Sequence, residues 1–320
     1  MGMWHIGMKV HVGNEDEFGL NENFFSKFQV SQVINTAFLK VKNAKRLLMQ
    51  SSFTSTHCFN TAAIRRATAT LIIICLSIPL TALATGKQAD DDSFWEIGLG
   101  VVSSQEAYTG MDSDIMPLPI VAFENRYIQL SGPELALKLP SYELSDSNEF
   151  NFSIFGRYDF LGYEEGDARI LKGMEDRDGG FWAGFKTEWQ NSFADISAEF
   201  ATEAAGDSKG GSFNLAIEKT WYFKENFMLT PRLTANWLDS HYIDYYYGVR
   251  KNEVTADRGY YNGGAGVNVE VGVLGGYMFE QKHFVLLDVG ITSLASEIKN
   301  SPLVDRSTEN SIALGYLYRF

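Results

Sequence analysis

From Trp95 to Phe320 the sequence falls into stretches in which every second residue is apolar, and that period of two leaves few folds open. Trp95, Ile97, Leu99 and Val101 alternate with Glu96, Gly98, Gly100 and Val102. The same period recurs through Leu135–Leu139, Phe150–Phe160, Phe181–Trp189, Ala194–Phe200, Phe213–Phe223, Phe227–Trp237, Val267–Val273 and Val285–Ile291. Residues two apart share one face of a strand, so each stretch has an apolar face and a polar or glycine-bearing one. A tilted strand needs about 9–11 residues to cross a bilayer, and most of these stretches have that length.

The connections come in two sizes. Lys224–Asn226 and Glu280–His283 are short polar turns, whereas Tyr163–Gly179, Asp239–Asn262 and Ser296–Glu309 are long. Short turns on one rim and long loops on the other mark an outer-membrane barrel. A soluble β-sandwich or a lipocalin-like barrel also alternates. Aromatic residues at the strand ends and charges on the alternate face favour the membrane form. The expected fold is all-β: an antiparallel up-and-down transmembrane β-barrel of about 12 strands, with a range of roughly 10 to 14.

The sequence ends Ser-Ile-Ala-Leu-Gly-Tyr-Leu-Tyr-Arg-Phe. As a closing strand it must pair with the first one near Phe94–Val102, because an open edge in lipid strands backbone groups without partners. Ile312, Leu314, Tyr316, Tyr318 and Phe320 then face lipid. Aromatic and apolar residues at every second position up to a terminal Phe also resemble the mark read by the barrel assembly machinery.

Residues 1–84 have a different character. Of 27 basic and 40 acidic side chains, 8 and 4 fall there, leaving 19 against 36 in the remainder. All 15 Tyr follow that boundary, and both Cys precede it. Arg65-Arg66, the apolar stretch Ala67–Leu80, the breaker Pro79 and small residues at Ala82 and Ala84 form a secretory signal cleaved after Ala84. The apolar stretch is short of the roughly 20 residues of a membrane helix. The expected division is a leader over 1–60, mis-annotated or disordered, a cleavable signal peptide over 61–84, and an outer-membrane barrel over 85–320. The mature chain then holds no cysteine, which excludes disulfides and thiol chemistry. The net charge of −13 speaks against nucleic acid as a partner.

From residue 94 onward the chain resembles the MipA/OmpV family of outer-membrane proteins. The resemblance rests on Gly98-Leu-Gly100, Tyr108-Thr-Gly-Met-Asp-Ser-Asp114, Pro117-Leu-Pro119, Leu130-Ser-Gly132, Trp237-Leu-Asp-Ser-His-Tyr242, Tyr247-Gly-Val249, Ser301-Pro-Leu-Val304 and Gly315–Phe320, in that order. It implies a Gram-negative outer-membrane location and a non-enzymatic role as a scaffold. In the family's namesake that scaffold holds a murein transglycosylase and a penicillin-binding protein together for peptidoglycan remodelling. Outer-membrane lipid and lipopolysaccharide are the surroundings it implies, and it brings no catalytic residues. The alternative is a small pore, uptake or adhesion-type protein, supported by the polar faces carrying Asn151, Ser153, Arg157, Lys186, Glu188, Asp195, Glu199, Arg232 and Asp288.

Little else points to chemistry. No P-loop, dinucleotide fingerprint or HExxH motif occurs. Ser240-His241 is not expected to form a catalytic pair, since neighbours on a strand point to opposite faces and a partner such as Ser192 or Ser197 would have to come from elsewhere. His283 is expected solvated in a turn. The acidic stretches Glu164–Asp167 and Glu175–Asp178 are expected to form a solvated, mobile loop rather than a cation site. Catalytic, cofactor and metal residues are therefore expected to be none. Tyr242, Tyr245, Tyr246 and Tyr247 form an aromatic cluster suited to an interfacial anchor, a plug over the lumen or a partner contact.

Overall fold

The computed structural model describes residues 93–320, apart from 112, 146 and 225. The leader, the signal and its cleavage residues Ala82 and Ala84 lie outside the described residues. The strands are β1 (Phe94–Gln105), β2 (Asp114–Glu124), β3 (Ile128–Ser131), β4 (Glu134–Lys138), β5 (Tyr142–Ser145), β6 (Asn148–Tyr158) and β7 (Phe181–Asn191). They continue as β8 (Asp195–Ala205), β9 (Gly211–Glu218), β10 (Trp221–Phe223), β11 (Phe227–Leu238), β12 (Gly266–Phe279), β13 (His283–Ser293) and β14 (Thr308–Arg319). Two helices, α1 (Ser240–Tyr247) and α2 (Ser296–Lys299), lie in the long loops.

All strands join one antiparallel sheet, and β14 pairs with β1 to close it. β5 follows β4 along β6, and β10 follows β9 along β11, so the wall has 12 strand positions, as the alternation predicts. At the closing seam the register runs from Glu96↔Arg319 to Gln105↔Asn310. Gly98 is required there, because a Cβ at that position would meet the Tyr316 carbonyl. Among the described residues no helix is long and apolar enough to cross a membrane; the strands do that.

The burial pattern is inside out relative to a water-soluble sheet. Along β14, Ile312, Leu314 and Tyr316 are exposed while Ala313, Gly315, Leu317 and Arg319 are buried. Leu99, 70% exposed, follows the same rule in β1. Such a continuous apolar belt belongs in lipid. Aromatic rings gather on the rim of short turns, as Trp95 against Phe123, Phe150 against Trp189 and Tyr318 against Phe320. These are girdle positions, and by the loop rule this rim is the periplasmic one.

Two features depart from the simple alternation. The inward face is not polar throughout: β1, β2 and β11 to β14 turn Val102, Met116, Leu118, Ile120, Met228, Leu274, Met278, Phe284, Leu286 and Leu317 inward as one buried apolar cluster. The second is the β3–β4 hairpin, which turns at Gly132-Pro133 after only a few residues. Pro140 ends β4 early, so the Leu135–Leu139 stretch does not form a full-height strand.

Candidate functional site

The other half of the ring encloses a charged chamber of about 280 Å³. Arg157 reaches Glu199 at 2.6 Å and Glu134 at 3.5 Å. Lys186 lies 3.9 Å from Glu188. Arg232 is held by two carboxylates: its Nη1 and Nη2 donate to Asp288 at 2.5 and 2.9 Å, and its Nε donates to Glu270 at 2.9 Å. The fork geometry of guanidinium suits this double capture of carboxylates. Gly272 leaves the space, since a Cβ there would press on the guanidinium. Pairing offsets the cost of holding these charges out of bulk water.

Of the residues expected to face inward, Arg157, Lys186, Glu188, Asp195, Glu199 and Arg232 line the chamber, and Asp288 holds Arg232. Asn151 and Ser153 are half-buried and lie outside its lining. Glu134, Glu270 and Trp182, which the alternation sets opposite the apolar face of their strands, also line it. Trp182 is 2% exposed and its indole N–H has no hydrogen-bond partner among the described residues. The apolar cluster also has a visible source, the uninterrupted apolar sequence Ile115–Phe123, which marks a strand with two apolar faces.

The chamber is roofed by loops that fold on one another. Asp239 caps α1 by accepting the Tyr242 N–H at 2.8 Å. The final carbonyls of a helix have no partner within it. Here three of them are taken by three different loops: Arg177 Nε donates to Tyr245 O at 2.8 Å, the Tyr108 hydroxyl to Tyr246 O at 3.1 Å, and Ser301 Oγ to Tyr247 O at 2.6 Å. Arg177 also places favourable positive charge at the negative end of the helix. Tyr242 meets Trp182 edge-on, 5.9 Å between centroids, and Tyr242 and Tyr247 line the chamber from above. Tyr245 and Tyr246 are buried in the roof. Burial holds the Tyr246 hydroxyl far above its ordinary pKa, and does the same for Tyr108, Tyr242 and Tyr247.

Three expectations change. The acidic loop is anchored through its other residues while Glu165, Asp167, Glu175, Asp176 and Asp178 stay exposed: Tyr163, Leu171 and Met174 join Tyr108 and Leu303 in a buried cluster, and Arg177 is paired with Glu253. Ser240 and His241 sit in α1, not on a strand, and His241 is exposed, with Nδ1 3.6 Å from Asp239. His283 is the first residue of β13, stacked 4.8 Å from Phe279 and 2.6 Å from the Tyr316 hydroxyl, rather than solvated in a turn. Among the described residues there is no group of three or more His, Cys, Asp or Glu placed to hold a metal ion.

The family model described as "MltA-interacting protein MipA" matches residues 97–320, the whole barrel from β1 onward. The chain belongs to the MipA family. The MltA-interacting protein of Escherichia coli K12 is 24% identical over 248 residues, covering 75% of this chain and 96% of that one. Outer membrane protein OmpV of Vibrio cholerae is 24% identical over 164 residues, covering 50% of this chain and 62% of that one. Among solved structures, an outer membrane channel from Pseudomonas putida F1 aligns with a TM-score of 0.40 and 10% identity, covering 74% of this chain and 98% of that one. This MipA-family barrel is thus an outer-membrane protein, as its belt, girdle and named relatives agree.

Proposed function

We propose that this MipA-family barrel is a non-enzymatic scaffold that holds peptidoglycan-remodelling enzymes, a murein transglycosylase and a penicillin-binding protein, against the inner face of the outer membrane. The observation that carries this reading is the interior. Half of the lumen wall is packed with buried apolar side chains, and the chamber beside it is roofed by interlocked loops. A barrel closed in this way has its short-turn rim left for contacts with the periplasm. The 24% identity to a protein named for its interaction with MltA supports the same partner class. Cross-linking in intact cells, followed by mass spectrometry of the purified barrel, tests it: murein enzymes should be recovered through the turns near 125–127, 192–194 and 224–226. Recovery of none would overturn it.

A small pore is the second reading, favoured by the 280 Å³ chamber with its charged lining. Planar-bilayer recording separates the two. A silent barrel removes the pore, and steady conductance through the wild-type protein removes the closed scaffold.

A further inference from the structure

β2 is paired unequally on its two sides. With β1 it pairs from Ser104↔Asp114 to Phe94↔Glu124. With β3 it pairs only through Ala122, Phe123 and Glu124. The β3–β4 hairpin has turned by then, and on its far side the Tyr158 N–H at the top of β6 donates to Pro133 O at 3.2 Å. Above Gly132-Pro133 no strand among the described residues pairs with this side of β2, and β6 itself ends at Tyr158, level with the turn.

The direction of the exposed edge can be read from one hydrogen bond. Gly132 N–H donates to Val121 O at 3.0 Å, so Val121 turns its backbone polar groups toward β3. Alternate residues of a strand do the same, which assigns Pro119 and Pro117 to that edge. Proline has no N–H. Of the three edge positions of β2 above Val121, Pro119 and Pro117, the two nearest the hairpin, carry no donor, and Ile115 is the third; the ladder to β1 continues through Leu99↔Pro119 and Val101↔Pro117 undisturbed. Orphaned N–H groups are the rarer and costlier kind, whereas a carbonyl left short of a partner is better tolerated. Prolines on an edge also deter an incoming strand. The edge is built to stay unpaired.

The gap has a frame. Gly132-Pro133 forms its sill. Tyr108 and Met111 of the loop after β1 pack with Tyr163, Leu171 and Met174 of the loop after β6 to bridge it above. Pro117, Pro119, Leu135 and Leu137 beside it are exposed on the lipid side, and Leu118 and Ile120 are buried on the inner side. Behind the sill lies the chamber, with Glu134 and Leu161 in its lining.

We propose that this gap is a lateral window that seats an acyl chain of the surrounding outer-membrane lipid at the margin of the lumen. An acyl chain needs no backbone donors, matches the apolar residues on both sides of the opening, and is the solvent at this level of the wall. The proposal is independent of which periplasmic enzymes the barrel holds.

Photolabelling tests it on the wild-type protein. The barrel, reconstituted in phosphatidylcholine vesicles doped with a phosphatidylcholine bearing a diazirine in its acyl chain, is irradiated and its peptides are mapped. Adducts should form on Glu134 and Leu161 of the chamber lining as well as on outward residues, and not on the inward-facing Leu286 and Asp288 of the complete wall. Adducts confined to outward residues all round the barrel would overturn the window. In a second arm the β3–β4 hairpin is lengthened to pair with the upper part of β2, with Pro117→Thr and Pro119→Thr. Labelling of Glu134 and Leu161 should drop to the Leu286 level; undiminished labelling in that barrel, still heat-modifiable, also overturns the proposal. Should the lengthened barrel not fold, the wild-type map decides alone.

Discussion

Arg177 and Glu253 are paired at 2.9 Å with each side chain 1% exposed, and they join two loops 76 residues apart. The same guanidinium holds the Tyr245 carbonyl at the end of α1. Arg177→Ala removes both contacts and leaves the Glu253 carboxylate buried without its cation. The expected result is a loosened roof on an intact wall, at a cost of about 3–5 kcal/mol to the packed loops. Protease digestion should open the 159–180 and 249–262 segments while the barrel still shifts on heating in a gel. Ser301→Ala, which removes one hydrogen bond, should open them less, by about 1 kcal/mol.

The roof should soften in acid. Burial pushes the Glu253 carboxyl up, but the Arg250 and Glu175 N–H groups and the Arg177 guanidinium outweigh it and leave the pKa below the ordinary 4.5. A lowered pKa gives stability that is complete above the ordinary value and is lost as pH falls through the folded one. Hydrogen exchange in the loops, followed from neutral pH to below 4.5, should rise only at the acid end. Exchange independent of pH in that window, after correction for the intrinsic rate, would count against the assignment.

Alkali acts through the tyrosines. Tyr108, Tyr242, Tyr246 and Tyr247 are held protonated by burial above the ordinary 10.0, so the folded roof loses stability as pH rises past that value, where the unfolded chain ionises. Absorbance near 295 nm, a wavelength chosen for tyrosinate, should show these four residues ionising above the ordinary value in a cooperative step that coincides with loss of loop protection.

At the seam, Arg319 Nε donates to Glu96 at 2.7 Å inside the wall, with the guanidinium over the Phe94 and Phe284 rings at 4.4 and 5.0 Å. Arg319→Ala leaves a buried carboxylate and should cost about 3–5 kcal/mol in urea unfolding of the detergent-solubilised barrel. The double change Glu96→Gln with Arg319→Met should recover part of that loss. A double variant as unstable as the single one would show that the rings, not the charge pair, hold the seam.

Deleting Phe320 should leave a secreted chain that assembles poorly, because we assign Ile312, Leu314, Tyr316, Tyr318 and Phe320 a role as an assembly mark as well as a lipid-facing stripe. Normal heat-modifiable barrels in outer-membrane fractions of that deletion would refute the role. Loss of the Phe320 N–H to Trp95 O bond, 3.0 Å, is too small a change to abolish the seam by itself.

The wall was legible because each strand repeats one physical requirement, an apolar residue outward at every second position, as at Ile312, Leu314 and Tyr316. The closing partner was legible for the same reason: a sheet in lipid has no tolerable edge except one arranged to be open. The lumen was less so. Its facing residues answer to partners across the ring, and nothing local to Arg232 reveals that Glu270 and Asp288 will meet it. α1 was hidden because Tyr242, Tyr245 and Tyr246, though at helical spacing, lie in a run where only Asp244 is polar, so no polar face marks the period; Asp239 and the three carbonyl contacts fix the helix.

The pair Glu96 and Arg319 is separated by 223 positions in the chain. Hairpin neighbours such as β13 and β14 can meet soon after they emerge, but this contact closes a loop spanning the whole sheet. Loop closure over such a distance comes late and slowly. Until then the nascent sheet has two raw edges at once, β1 and β14, each able to pair with the wrong chain. The interval between the penultimate pairing and the seam is thus the stage at which a chaperone would matter most, and the rate of that one step sets how long the protein is vulnerable.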